Sequence, residues 1–339
     1  MKKKNWFWIL FVVMLGQTYA QQPIIDSNWQ AIFEDEFNSF VENRWYKEDM
    51  VRQEGTDEED LGYYKPYNAN ISNGQLVLTV KRDTLYHDSA CFHHNMQPGD
   101  HYFSSASVMS KKKYHYGYFE IYAKLPISDG YWPSFWLWAD TTTANECWYN
   151  EVDIFEGQGY LPDVLYTNAH WYFLCPLGSD LHDVQQSYNK DITNYHWYGL
   201  EWSREWIRWY CDRVLVREER NNFGGVGIQQ RMHIILSVSV ASSQYAPNTV
   251  TNNTIFPNYM YIDQANVYKL RCDANTVVVE IPNFSTYQYG IKKSIKLSGT
   301  TQLPTGETTC LRATDFIELT NGFEVPLGTG FFADVHDCP

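Results

Sequence analysis

Asn150-Glu151-Val152-Asp153-Ile154-Phe155-Glu156 places three carboxylates within a strand-forming stretch of the chain. Successive side chains of a strand alternate between its faces. Glu151 and Asp153 then share one face, and Val152 and Ile154 turn to the other, toward a core. Glu156 lies five positions beyond Glu151, so a regular strand sends it into that core, where an unpaired carboxylate is costly. One extra residue at Ile154-Phe155, a β-bulge, restores the phase and returns Glu156 to the carboxylate face. Two carboxyls about 5–5.5 Å apart suit double displacement at an anomeric carbon. One attacks to form a covalent glycosyl-enzyme; the other protonates the leaving oxygen and then deprotonates water. Asp153, between them, shares a proton with the neighbourhood of the nucleophile and helps keep the acid protonated by like-charge proximity. The alternative, an acidic strand facing solvent, leaves three like charges on one face without compensation.

The surrounding chain reads as strands. Gln75 to Val80 follows the turn dipeptide Asn73-Gly74, and Tyr118 to Leu125 alternates until Pro126. Ile207 to Tyr210 leads through Cys211-Asp212-Arg213 into Val214-Leu215-Val216, a hairpin pattern. Met232 to Val240 and Tyr261 to Leu270 are further strands. Lys111-Lys112-Lys113 reads as the start of an edge strand, and Glu48 to Asp60 and Arg82 to His101 as inserted loops. The second loop holds Cys91, His93 and His94, at spacings that match no zinc pattern. With no long helical period anywhere, the expectation is an all-β sandwich.

Lys2 to Lys4, the apolar run Trp6 to Leu15 and Thr18-Tyr19-Ala20 have the form of an export signal, residues 1–20, cleaved before Gln21. The run is too short to span a bilayer comfortably, so no membrane span is expected. Loss of three lysines takes the formal charge from -14 to -17. That field repels nucleic acid and densely sulfated polysaccharides. Export permits disulfides, and of seven scattered cysteines Cys310 and Cys338 are the preferred pair. Some of the aromatic content of 17%, with 13 Trp and 26 Tyr, must fill the core, and so many Trp and Tyr also suit a cleft that stacks sugar rings.

After Leu270 the character changes. Residues 271–339 contain no Trp and carry short strand phrases, Thr276 to Glu280, Ile291 to Leu297, Phe316 to Leu319 and Phe323 to Val325. They read as a small separate β module, leaving residues 21–270 as the catalytic domain. The phrase from Ile317 to Ala333 resembles strand-stack modules appended to secreted bacterial proteins, which implies surface presentation more than catalysis.

The carboxylate segment EVDIFE resembles the E-x-D-x-x-E signature of glycoside hydrolase family 16 in its bulged, laminarinase-like and agarase-like form. Trp29 with Phe33 to Phe37, Asn68 to Leu76, Tyr116 to Glu120, Gly130 to Leu137, Tyr198 to Trp202 and Ile262 to Tyr268 match as well, so the resemblance runs from Trp29 to Leu270. It implies a jelly-roll β-sandwich with a concave substrate cleft. It implies Glu151 as nucleophile, Asp153 as assisting acid and Glu156 as acid/base. Trp132 and Trp136, which alternate onto one face with Ser134 and Trp138, are implied in sugar stacking, with His170 and Asn68 as polar contacts. Trp202, Trp206 and Trp209 are read as structural. A structural calcium is implied at Asp263, with backbone oxygens near Glu36 and Gly74; no cofactor is implied for catalysis. Ser237 and Ala241-Ser242 depart from the Asn and closing Gly pair of many β-glucanases and leave the fine specificity open.

The expectation is a secreted, monomeric, retaining endo-β-glycosidase acting on a neutral polysaccharide, first a β-1,3- or mixed-linkage β-glucan. A β-galactan hydrolase of the agarose type, or a transglycosylase, is the alternative among enzymes. A non-catalytic carbohydrate-binding sandwich is the alternative outside them, though a lectin needs no paired acids.

Overall fold

The computed structural model describes residues 29–51, 61–87, 99–139, 148–175, 178–223, 227–240, 250–280, 290–299, 301–305 and 308–335. The export segment, Cys91, His93, His94 and Cys338 lie outside the described residues. Among the described residues, twenty-two strands run from β1 (Trp29–Asp35) to β22 (Gly330–Val335), with one short 3₁₀ turn at Pro66–Asn68. Turn chemistry punctuates them where the sequence demands it. Asn73 and Gly74 both take positive φ, 53° and 73°, between β5 (Ala69–Ser72) and β6 (Gln75–His87), the geometry of a tight two-residue hairpin. Asp212 and Arg213 do the same, at 50° and 61°, between β15 (Trp206–Cys211) and β16 (Val214–Arg220).

The large domain is a jelly-roll sandwich of antiparallel sheets. Its inner sheet orders β7 (Gly99–Ser110), β17 (His233–Val240), β9 (Tyr131–Trp138), β10 (Trp148–Gly157) and β11 (Val164–Cys175) as neighbours. The sheet behind it joins β18 (Asn258–Leu270) to β1, β6 and β8 (Gly117–Lys124), and continues from β8 through β14 (His196–Trp202) to β15 and β16. One core fills the space between: Phe135, Leu137, Val152, Leu165, Ala169, Leu236 and Val238 from the inner sheet meet Phe119, Ile121, Tyr198, Leu200, Ile207, Trp209 and Ile262.

The charged stretch at Arg82 to His101 is not an inserted loop throughout: β6 and β7 continue as a hairpin, pairing Arg82 with Phe103 and His87 with Gly99. Lys111 to Lys113 form a bend between β7 and β8 instead of opening a strand. No described helix is long and apolar enough to cross a membrane.

Beyond Leu270 a second sheet begins. β19 (Cys272–Val278), β20 (Ile291–Leu297), β21 (Thr308–Leu319) and β22 stack in parallel order around Val278, Ile295, Leu297, Leu303, Leu311 and Ala313. Phe323-Glu324-Val325 is no strand; it follows Gly322 at φ 87° and contributes only Phe323 to this small core. The expected Cys310–Cys338 pair is also overturned, because Cys310 is a free, buried thiol, while Cys272 is disulfide-bonded. Alternation along β21 explains it. Leu311 and Ala313 face the small core, so Cys310 and Arg312 face the sandwich, where Arg312 meets Glu205 at 2.9 Å.

Candidate active site

The carboxylate segment carries the extra residue that its spacing requires. Against β11, Glu151 pairs with His170 and Asp153 with Asn168, and pairing resumes with Glu156 opposite Tyr166. Against β9, Asp153 pairs with Trp136, Phe155 with Phe135 and Glu156 with Ser134. Ile154 and Phe155 therefore turn into the core one after the other, at 2% and 0% exposure, and the Phe155 ring lies 4.6 Å from that of Tyr198. Glu156 is returned to the other face, partly exposed.

On that face the carboxylates have partners. His170 Nε2 lies 3.0 Å from Asp153 Oδ2, and ligand-type atoms of Glu151, Asp153 and His170 all fall within 4.8 Å of one another. Trp132 Nε1 donates to Glu156 Oε1 at 3.0 Å. Trp132, Ser134, Trp136 and Trp138 share the face opposite the core residues Tyr131, Phe135 and Leu137. Trp136 donates to Ser237 Oγ at 3.2 Å and meets the Trp138 ring edge-on at 5.9 Å. Ser107, Ser237 and Ser134 stand in register across β7, β17 and β9, in line with Glu156 on β10, so the floor beside the acid is built of small hydroxyl side chains.

Two features escape a sequence reading. The Trp132–Glu156 bond depends on a rotamer, and alternation reports only the shared face. The indole of Trp209, a core residue of the opposite sheet, donates to the Asp153 carbonyl at 2.8 Å. No local pattern pairs positions 56 residues apart. Asn68 departs from expectation: it is 2% exposed, and its amide donates to the Ser105 carbonyl at 3.1 Å. It braces β7 from beneath, and we do not retain it as a sugar contact.

The expected calcium ligands lie on the sheet behind the cleft. Asp263 occupies a register shift of β18, between Ile262 and Gln264, and accepts from Gln75 Nε2 at 3.1 Å. Gly74 adjoins Gln75, and the Asn38 side-chain oxygen stands 3.7 Å from where a Cβ on Gly74 would project. Asn38 in turn donates to Glu36 Oε2 at 3.3 Å. Carboxylate, amide and main-chain oxygens are the donors a hard cation takes, so the residues fit the group.

The family model for Glycosyl hydrolases family 16 matches residues 58–255. The chain belongs to glycosyl hydrolase family 16. Its relatives include the Beta-glucanase of Rhodothermus marinus, 25% identical over 272 residues, covering 76% of this chain and 90% of that protein. The Kappa-carrageenase of Pseudoalteromonas carrageenovora is 24% identical over 341 residues, covering 90% and 82%. The Clotting factor G alpha subunit of Tachypleus tridentatus is 26% identical over 257 residues, 74% of this chain, which spans 35% of that longer protein. Among solved structures, the laminarinase catalytic domain from Thermotoga maritima superposes with a TM-score of 0.58 at 25% identity, covering 72% of this chain and 99% of that one. The protein is a family 16 glycoside hydrolase, and the bulged strand sits on the jelly roll expected of one.

Proposed function

We propose that the chain is a secreted, retaining endo-hydrolase of a neutral β-linked polysaccharide, with β-1,3- or mixed-linkage β-glucan first. The bulge after Asp153 carries this reading, because it returns Glu156 to the face of Glu151, beside an indole wall. Glu151 attacks the anomeric carbon and holds the glycosyl group covalently. Glu156 protonates the departing oxygen, then takes a proton from the incoming water. Asp153, bonded to His170, sits beside the nucleophile and takes up part of the charge change as Glu151 esterifies. Trp132 and Trp136 offer ring faces to pyranose C–H faces.

The charge of the cleft supports a neutral substrate. None of the concave-face residues named above is Lys or Arg, and the whole chain is strongly acidic. A second reading, a β-galactan of the agarose or carrageenan type, is favoured by the kappa-carrageenase relative. One panel separates them: purified protein against laminarin, lichenan, agarose, carrageenan and xyloglucan, with product sizing and salt titration. Release of glucan oligosaccharides at a rate that varies little with salt is expected. Preferred cleavage of carrageenan with a steep salt dependence would move the assignment to the second reading.

Export is supported by the form of residues 1–20 and predicts a secreted protein whose N-terminus is Gln21, checked by mass spectrometry of the secreted chain. The Asp263 carboxylate and backbone oxygens of Glu36 and Gly74 would hold a structural calcium, which contributes stability and no catalytic step. Calcium should then raise the melting temperature of the wild type and leave that of Asp263→Ala unchanged.

A further inference from the structure

The Asp153 carbonyl lies where both ladders of the catalytic strand lose register. A buried carbonyl without a donor is costly, and a bulge turns such groups away from their usual partners. Here the donor comes from across the sandwich. Trp209 on β15 is fully buried, and its indole N–H reaches the Asp153 carbonyl at 2.8 Å. The ring is itself fixed. The Arg217 guanidinium lies over it, 4.2 Å from the ring centroid, and is 6% exposed. Arg217 Nη1 donates to the Thr167 carbonyl at 2.8 Å and to its hydroxyl at 2.9 Å, and Nη2 donates to the Val184 carbonyl. Thr167 is the neighbour of Asn168, the residue paired with Asp153. The guanidinium thus ties the indole to the strand flanking the bulge.

We propose that Trp209 is a positioning residue for the family 16 reaction: its N–H fixes the bulge after Asp153 and so sets where Glu156 stands relative to Glu151. Arg217 holds Trp209 in that role. Trp209 touches neither substrate nor carboxylate side chain; it acts through the backbone of the strand that carries them. The general acid is the group most exposed to its loss, because Glu156 lies beyond the bulge whereas Glu151 lies before it. The proposal rests on the roles given above to Glu151 and Glu156.

Trp209→Phe keeps a core ring and removes the donor. Misplacement of a catalytic group by about 1 Å costs roughly a hundredfold. We expect kcat on the polymer to fall about ten- to a hundredfold with KM within twofold. On an aryl β-glycoside with a good leaving group, which needs little acid assistance, the loss in the glycosylation rate should shrink to about threefold or less. Active-site titration with a mechanism-based inactivator normalises every rate to folded enzyme. Arg217→Lys retains the charge and loses the planar fork, and should show the same pattern more weakly. If Trp209→Phe folds poorly, Arg217→Lys carries the test alone. Unchanged polymer kcat per titrated site, or equal losses on both substrates, would overturn the proposal. A wild type that hydrolyses neither substrate would overturn the reading of Glu151 and Glu156 first, a separate outcome visible in the control.

Discussion

Under the proposed roles, Glu151→Ala removes the oxygen that attacks the anomeric carbon, so turnover of every substrate should fall to background. Glu156→Ala removes only the proton donor, a contribution of about 10²–10⁴-fold. An activated aryl glycoside needs no such donor, and azide can replace water in the second step. Partial recovery of Glu156→Ala by azide, with a β-glycosyl azide as product, is the expected result of chromatography on the reaction. A β-azide from Glu151→Ala instead would reverse the two roles. The positions of these carboxylates were legible because their odd spacing conflicts with strand alternation and only an inserted residue resolves the conflict. The groups that support them were not. Trp132 reaches Glu156 and Trp209 reaches the Asp153 carbonyl through particular rotamers and sheet-to-sheet facing, and a side-chain pattern records neither. Asn68 failed for a related reason: a polar residue beside a cleft strand can as readily serve the backbone, and this one bonds Ser105.

At the scale of the strand, the bulge can be tested by removing it. Deletion of Ile154 makes β10 regular and leaves Glu156, then four positions from Glu151, on the cleft face opposite Ser134 and Tyr166. It removes one buried apolar side chain, at about 2–5 kcal/mol, and buries no carboxylate. The thermal transition should move down in circular dichroism, and activity per folded molecule should fall without vanishing. Ile154→Val, by contrast, should cost about 0.5–1.5 kcal/mol and leave kcat intact. On the neighbouring strand, Trp132→Ala removes the proposed stacking face; in a Glu151→Ala background, calorimetry should show roughly tenfold or greater weakening for neutral oligosaccharides. Core strands such as β10, β18 and β20 were legible from alternation because one face is buried. The outer half of the β6–β7 hairpin has no such face: Arg82 to His87 runs past the core, so nothing distinguishes it from a charged loop. Phe323 to Val325 shows the converse, β-forming residues at a turn between Gly322 and Pro326.

Across the whole molecule, the small parallel stack docks on the sandwich through charge as well as packing. Arg312, 8% exposed, meets Glu205 at 2.9 Å, Arg204 meets Asp334 at 3.5 Å, and the Arg220 guanidinium lies 4.0 Å from the Phe332 ring centroid. Burial alone would raise the Glu205 carboxyl, but Arg312 overrides it and holds the group below its ordinary value. The contribution of a carboxylate lowered in the folded state is complete above the unfolded glutamate range of about 4.3 and is lost as pH falls through the folded value. Arg312→Met leaves Glu205 uncompensated and should cost about 3–5 kcal/mol at pH 7. In urea unfolding, the gap between Arg312→Met and wild type should narrow from pH 7 to pH 3. A gap independent of pH would show that the guanidinium serves packing alone. The same scale explains why β1 matters although it precedes the matched family region. Trp29 pairs with Leu270, the outermost pair of the β1–β18 ladder, so the two ends of the sandwich leave from one corner of the sheet behind the cleft. In mechanical terms that corner is the pull tab of a zipper. Tension applied through both ends would peel β1 from β18 one pair at a time, never shearing the ladder as a unit, so the domain would yield first at its back.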